Sequence, residues 1–118
     1  MKTFIAVFTG NQDAMKKSGW LDLAPDERKA REEKGLAAWG AWMAENAGAI
    51  AFEGGPLGKT KRVSKTGIDD ISNSMAGFVV LTAASHEDAA RKFENHPHFA
   101  IFPGEAVEIM EVLPIPGH

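Results

Sequence analysis

Apolar residues recur along this chain in short runs separated by two stretches of helical spacing. Lys2 to Thr9 (Lys-Thr-Phe-Ile-Ala-Val-Phe-Thr) is rich in aromatic and β-branched residues and stops at Gly10-Asn11, which predicts a strand. Residues 11–24 read as a polar connection holding Met15, Trp20 and Leu21, folded back onto the body as packing or as a lid. Pro25 suits the first turn of a helix, with Ala24 as a poor cap and Asp26 and Glu27 placed where the helix dipole favours negative charge. Leu36, Gly40, Met43 and Ala47 follow a 3–4 spacing and form the expected buried stripe, bordered by Trp39. Trp42 lies roughly 100° from its centre by the helical period, so it is expected to cover a neighbouring subunit, a loop or a ligand. Asn46 and Gly48 end the helix.

Ala49 to Glu53 predicts a second strand, broken by Gly54-Gly55-Pro56. Residues 59–66 alternate, are polar and basic, and read as an exposed arm or short hairpin, with 67–74 as loop. The arm's charges read as a solvated face, with a phosphate or carboxylate site as the other reading. Met75 to Ala84 is the third main strand. Ser85 caps a second helix whose Ala89, Ala90 and Phe93 face the core, and Asn95-His96-Pro97 stops it. A compact turn from Pro97 to Phe102 leads to a last strand, Ala106 to Leu113.

The order strand, helix, strand, strand, helix, strand is the split βαβ pattern. It predicts an α+β, ferredoxin-like βαββαβ domain over residues 1–118, with a four-stranded antiparallel sheet and both helices on one face. Such a sheet is expected to be polar on its second face, yet Ile5 and Val7 oppose Phe4, Ala6 and Phe8, and Phe78 and Val80 oppose Val79 and Leu81. Both helices are already used. The uncovered apolar face predicts a homodimer packed sheet against sheet.

Composition narrows the function classes. At 118 residues, with 44% hydrophobic and 25% charged content, the chain is an ordinary globular domain able to bury a core. A net charge of −3 argues against nucleic acid or an anionic membrane as partner. With no cysteine there is no disulfide, thiolate nucleophile or Cys-ligated metal. The apolar run in residues 1–8 is shorter than a secretory segment and nothing reaches membrane-spanning length, so cytoplasm is the expected location.

Three stretches, with the Met-Lys-Xaa-Phe start, resemble the YCII-related family: Gly54-Gly55-Pro56-Leu57, Ala76-Gly77-Phe78 and Glu111-Val112-Leu113-Pro114-Ile115. The resemblance implies a dimeric α/β barrel, an architecture shared with cofactor-free monooxygenases, isomerase-like enzymes and haem-degrading proteins. Two departures are visible. The Asp-Gly-Pro-Phe motif of many members is replaced by Gly67-Ile68-Asp69-Asp70, and residues 26–47 contain no histidine for the His–Asp pair of others.

Candidate chemistry is sparse. Glu53, if Ile50 and Phe52 pack under the helices, points into the interior as a partly desolvated proton acceptor or donor; its bland reading is a paired strand-end carboxylate. His96 and His98 read as base and hydrogen-bond donor, as metal ligands lacking a third partner, or as compensation of a helix dipole. Glu108 shares a face with Met110 and Val112 and is a second interior carboxylate candidate. His86 is expected at an exposed first helical turn and His118 in a disordered terminus. The expected cleft is lined by Trp39 or Trp42, Glu53, Phe78, His96 and His98, and takes a small, partly apolar organic molecule with no tightly bound cofactor and no metal. The alternatives are a non-catalytic ligand-binding or accessory dimer, and a haem-binding or monooxygenase-like barrel.

Overall fold

A computed structural model describes residues 1–117; His118 lies outside them. Strands β1 (Lys2–Thr9), β2 (Ile50–Pro56), β5 (Met75–Ala83) and β6 (Ala106–Glu111) form an antiparallel sheet in the order β2-β5-β1-β6. That is the ferredoxin-like order. The central pair β1–β5 runs in continuous register from Lys2 opposite Ala83 to Phe8 opposite Gly77, so Phe4 faces Leu81 and Ala6 faces Val79. These side chains, with Phe8, Trp42, Ala83, Ala89 and Phe93, are the buried core. Helix α2 (Pro25–Glu45) and the shorter α3 (His86–Arg91) and α4 (Pro97–Ala100) complete it from one side.

Helix α2 begins as its sequence directs. Ala24 has no capping side chain, and Glu27 reaches back instead, its carboxylate accepting from the Ala24 N–H at 3.4 Å. Asn46 caps the other end. The buried stripe is not the expected one. Leu36 is 67% exposed, and the inward positions are Gly35 and Trp42, with Trp39 and Met43 partly buried. Gly35 meets the Phe102 ring so closely that a Cβ there would lie 2.5 Å from it. A glycine at the closest approach sends no hydrophobic signal. Once it sets the face, Trp42 rotates into the core, packing at a tilt on Phe93 with 4.9 Å between ring centres, while its indole N–H donates to the Lys92 carbonyl at 2.7 Å.

Two connections also differ from expectation. Residues 11–24 hold helix α1 (Gln12–Lys17), capped by the Asn11 side chain, and a 3₁₀ turn at Trp20–Asp22 that buries Trp20. The loop expected at 67–74 holds a strand: β3 (Thr60–Ser64) pairs with β4 (Gly67–Ile71) in a separate ribbon. There Lys61 stands opposite Asp70, in an ion pair of 2.7 Å, and Arg62 opposite Asp69. The basic run is thus matched across the ladder by acidic residues. His86 is exposed, as expected from its helical turn, but its ring stacks on Phe4 at 5.4 Å and its Nε2–H donates to the Ile109 carbonyl at 2.7 Å.

The molecule measures 55 × 42 × 19 Å. The thin dimension is that of one helix layer on one sheet, so the second sheet face is bare. Ile5 and Val80 lie opposite one another there, flanked by Phe78, Met110 and Phe52. Among the described residues, no helix is long and apolar enough to cross a membrane.

Candidate functional site

A cleft of about 500 Å³ opens between α2 and the β2–β5 edge of the sheet. Phe8, Trp39, Met43 and Phe102 supply its walls, Gly54, Gly55 and Pro56 its lip, and Glu53 and His98 its ionisable groups. A mainly apolar cleft of this size, with a few polar groups, suits a small organic molecule.

The lip is built by irregular pairing. Ile50 pairs with Leu81 and packs on the core, but Phe52 pairs with Val80 on the opposite face and is 60% exposed. The expectation that Ile50 and Phe52 share a face fails because the register shifts between them. It shifts again between Phe52 and Gly55, with Gly54 at φ 62°. Glu53 therefore reaches the cleft but is exposed to solvent rather than desolvated. It joins none of the ion pairs found among the described residues.

Gly54 is required here on two counts. Its positive φ disfavours a side chain, and a Cβ would overlap the Phe78 carbonyl. Gly54→Ala is expected to destabilise the fold by about 3 kcal/mol, from the left-handed backbone and the overlap together. Urea unfolding followed by circular dichroism checks this; a loss under about 0.5 kcal/mol would show that the bulge relaxes freely.

The histidines come from the connection after α3. Asn95 takes a positive φ of 56°, and His96, forced extended by Pro97, becomes the N-cap of α4. Its Nδ1 accepts from the His98 backbone N–H at 3.0 Å. That fixes the proton of the neutral His96 ring on Nε2. Nε2 is sealed from solvent and has no partner among the described residues. The ring is fully buried among Trp39 at 4.6 Å, Trp42 at 4.8 Å, Phe8 at 5.1 Å and Phe93 at 5.7 Å. Burial in this aromatic box, with His98 adjacent, pushes the His96 pKa down from 6.5 to about 4.

His98 sits one helical residue beyond Pro97, its Nε2 bonded at 2.7 Å to the Thr9 carbonyl. Burial lowers its pKa too, while the Thr9 bond acts in the opposite sense. His98, Ala76 and Phe102 also line a second, more open groove of about 690 Å³ that continues past Gly10, Asn11 and Ser74.

Of the residues singled out from the sequence, Trp39, Glu53 and His98 meet at the cleft; Phe78 borders it on β5, but its ring lies on the other sheet face against Phe52. Trp42 does not; it is core, with its N–H already used. His96 is packed behind Trp39 and Phe8. Glu108 stands opposite Val7 on the bare sheet face, exposed and away from the cleft. Phe8, Met43 and Phe102 were not among the site residues read from the sequence. Phe8 lies in a strand apolar on both faces, so alternation could not assign it, and Met43 lay in the expected stripe as a core residue. No group of three or more His, Asp or Glu among the described residues could hold a metal ion.

The chain matches no protein-family model and no curated protein. Among solved structures it is similar to 5-chloro-2-hydroxyhydroquinone dehydrochlorinase from Burkholderia phenoliruptrix AC1100 in complex with 2,5-dihydroxybenzoquinone. The TM-score is 0.53 at 16% identity, covering 92% of this chain and 90% of that one. A likeness at that identity shows the α+β fold.

Proposed function

We propose that this chain is a cytoplasmic, YCII-like homodimer of the dimeric α/β-barrel type that binds a small, largely apolar organic molecule in the cleft between α2 and the sheet. The carrying observation is the cleft itself: about 500 Å³, walled by Phe8, Trp39, Met43 and Phe102, with one carboxylate and one imidazole among its lining residues. The dehydrochlorinase of similar fold binds a planar ring compound, which fits the same reading. Glu53 and His98 are the groups able to exchange protons with a bound molecule, so cofactor-free acid–base chemistry is the enzymatic form of the proposal. Its non-catalytic form is a ligand-binding or accessory dimer using the same cleft. Haem ligation gains no support from His96, which is fully buried, or from Nε2 of His98, which is taken by Thr9.

A thermal-shift screen against small ring-containing metabolites tests the proposal. A ligand at about a hundredfold its Kd is expected to stabilise the protein by about 2.7 kcal/mol, a rise of several degrees in Tm. The rise should shrink in Trp39→Leu, which removes a wall, and in Glu53→Gln. No shift with any compound, or equal shifts in both variants, would remove the cleft as the binding site.

A further inference from the structure

We propose that the cleft selects molecules presenting a hydroxyl or N–H donor, rejects carboxylates, and reads the donor with Nδ1 of His98. The inference rests on the ligand-binding reading of this cleft and names the chemistry of what enters it.

The argument starts from the Thr9 carbonyl. A carbonyl oxygen only accepts hydrogen bonds, so the 2.7 Å contact requires a proton on Nε2 of His98. The same oxygen also accepts from the Glu105 N–H at 2.9 Å, which ties it to the start of β6. Gly104 then closes the Cε1–Nε2 edge of the ring: a Cβ at that position would overlap both atoms. The His98 backbone N–H is held in turn by His96. The imidazole is therefore fixed in position and in tautomer.

In the neutral ring so fixed, Nδ1 carries a lone pair and no proton. Among the described residues it has no hydrogen-bond partner, and it is not one of the unpartnered atoms sealed from solvent, as Nε2 of His96 is. His98 lines both the cleft and the groove that continues past Gly10 and Ser74, and Nδ1 is the one ring heteroatom left to a ligand. A neutral imidazole in this tautomer can only accept there. A ligand hydroxyl or N–H satisfies it, whereas an ether or an apolar group leaves a polar atom desolvated.

Charge points the same way. A carboxylate would need an imidazolium, which burial disfavours. Glu53, the one acidic side chain among the described residues lining the cleft, repels anions as well. The aromatic walls meanwhile favour a flat apolar body.

Phenol, anisole and benzoate separate these demands with one ring size. Their affinities for the wild-type protein would be measured by ligand-observed NMR. Phenol is expected to bind about tenfold more tightly than anisole, the effect of one net hydrogen bond, and benzoate more weakly than either. In His98→Phe, phenol and anisole should bind within about twofold of each other. The His98 imidazole ¹⁵N resonance should move with phenol and stay in place with anisole, which decides the matter without a variant. Equal binding of phenol and anisole to the wild type would overturn the inference while leaving the cleft as a binding site. Tightest binding by benzoate would do the same, since it requires a cationic ring. Failure of all three to bind would count instead against the cleft reading itself.

Discussion

Acidification from about pH 7 to about pH 4 will remove about 3 kcal/mol of folding stability through His96 alone. In the unfolded chain this imidazole takes a proton near pH 6.5; in the folded protein it resists until about pH 4. Between those values the unfolded state binds a proton that the folded state does not, so stability falls as pH falls through this window and levels off below it. The difference between 6.5 and about 4 corresponds to about 3 kcal/mol. His98, lowered in the same direction, adds to the loss. Against a typical total of about 5–15 kcal/mol, this is a large fraction.

The structural reason is specific. Protonating His96 puts a hydrogen on Nδ1, where the lone pair now accepts the His98 N–H. Two donors would then face each other at the start of α4, inside a box of four aromatic rings. Urea titrations at the two pH values measure the effect. Carboxylates contribute to acid unfolding as well, so the decisive comparison is His96→Asn. Asparagine can still cap α4 but does not titrate. The variant is expected to be less stable at neutral pH, because a large ring is lost from the core, and to show a much shallower fall between pH 6.5 and pH 4. If it falls as steeply as wild type, His96 is not the titrating group.

How much of this was legible in the sequence follows from what each residue can signal. β1 and β5 were visible because aromatic and β-branched residues fill them and Gly10-Asn11 ends the first. The start of α2 was visible because Pro25, Asp26 and Glu27 occupy positions where each has a local physical reason to be. The orientation of α2 was hidden because Gly35, which makes its tightest approach, has no side chain to count. Leu36 drew the stripe one position too far and exchanged the roles of Trp39 and Trp42. The second strand of the β3–β4 ribbon was hidden because its pairing joins charges at two positions, Lys61 to Asp70 and Arg62 to Asp69, and apolar side chains at one, Val63 to Ile68. At the site, Glu53 could be placed at the lip but not its exposure, since the register of β2 shifts between Ile50 and Phe52 and again between Phe52 and Gly55, the interval that holds the carboxylate. The roles of His96 and His98 depend on backbone atoms, the His98 N–H and the Thr9 carbonyl, that no pattern of side chains reveals.

The bare sheet face carries the second large expectation: replacing Val80 with lysine will convert the proposed homodimer into monomers. Val80 and Ile5 pair across β5 and β1, the two central strands, so they mark the middle of that face. Phe52 and Met110 flank them at 60% and 43% exposure, with Phe78 partly exposed between. Burying side chains of this size is worth about 1.5–3 kcal/mol each, and a two-fold interface counts every one twice. Such a patch is unusual on a protein that stays monomeric. The β3–β4 ribbon supports the same reading, since a two-stranded ribbon is marginal alone and this one leaves Val63 and Ile68, a cross-strand pair, at 75% and 68% exposure. In Val80→Lys, each interface would bring two ammonium groups, one from each copy, into an apolar layer. Such a substitution is expected to weaken association by about a thousandfold or more. The lysine would project into water in the monomer, so the fold should survive. Sedimentation equilibrium at micromolar concentration, with circular dichroism to verify folding, measures both. A wild type that is already monomeric at high concentration, or a folded Val80→Lys protein that remains dimeric, would show that this face is not the interface.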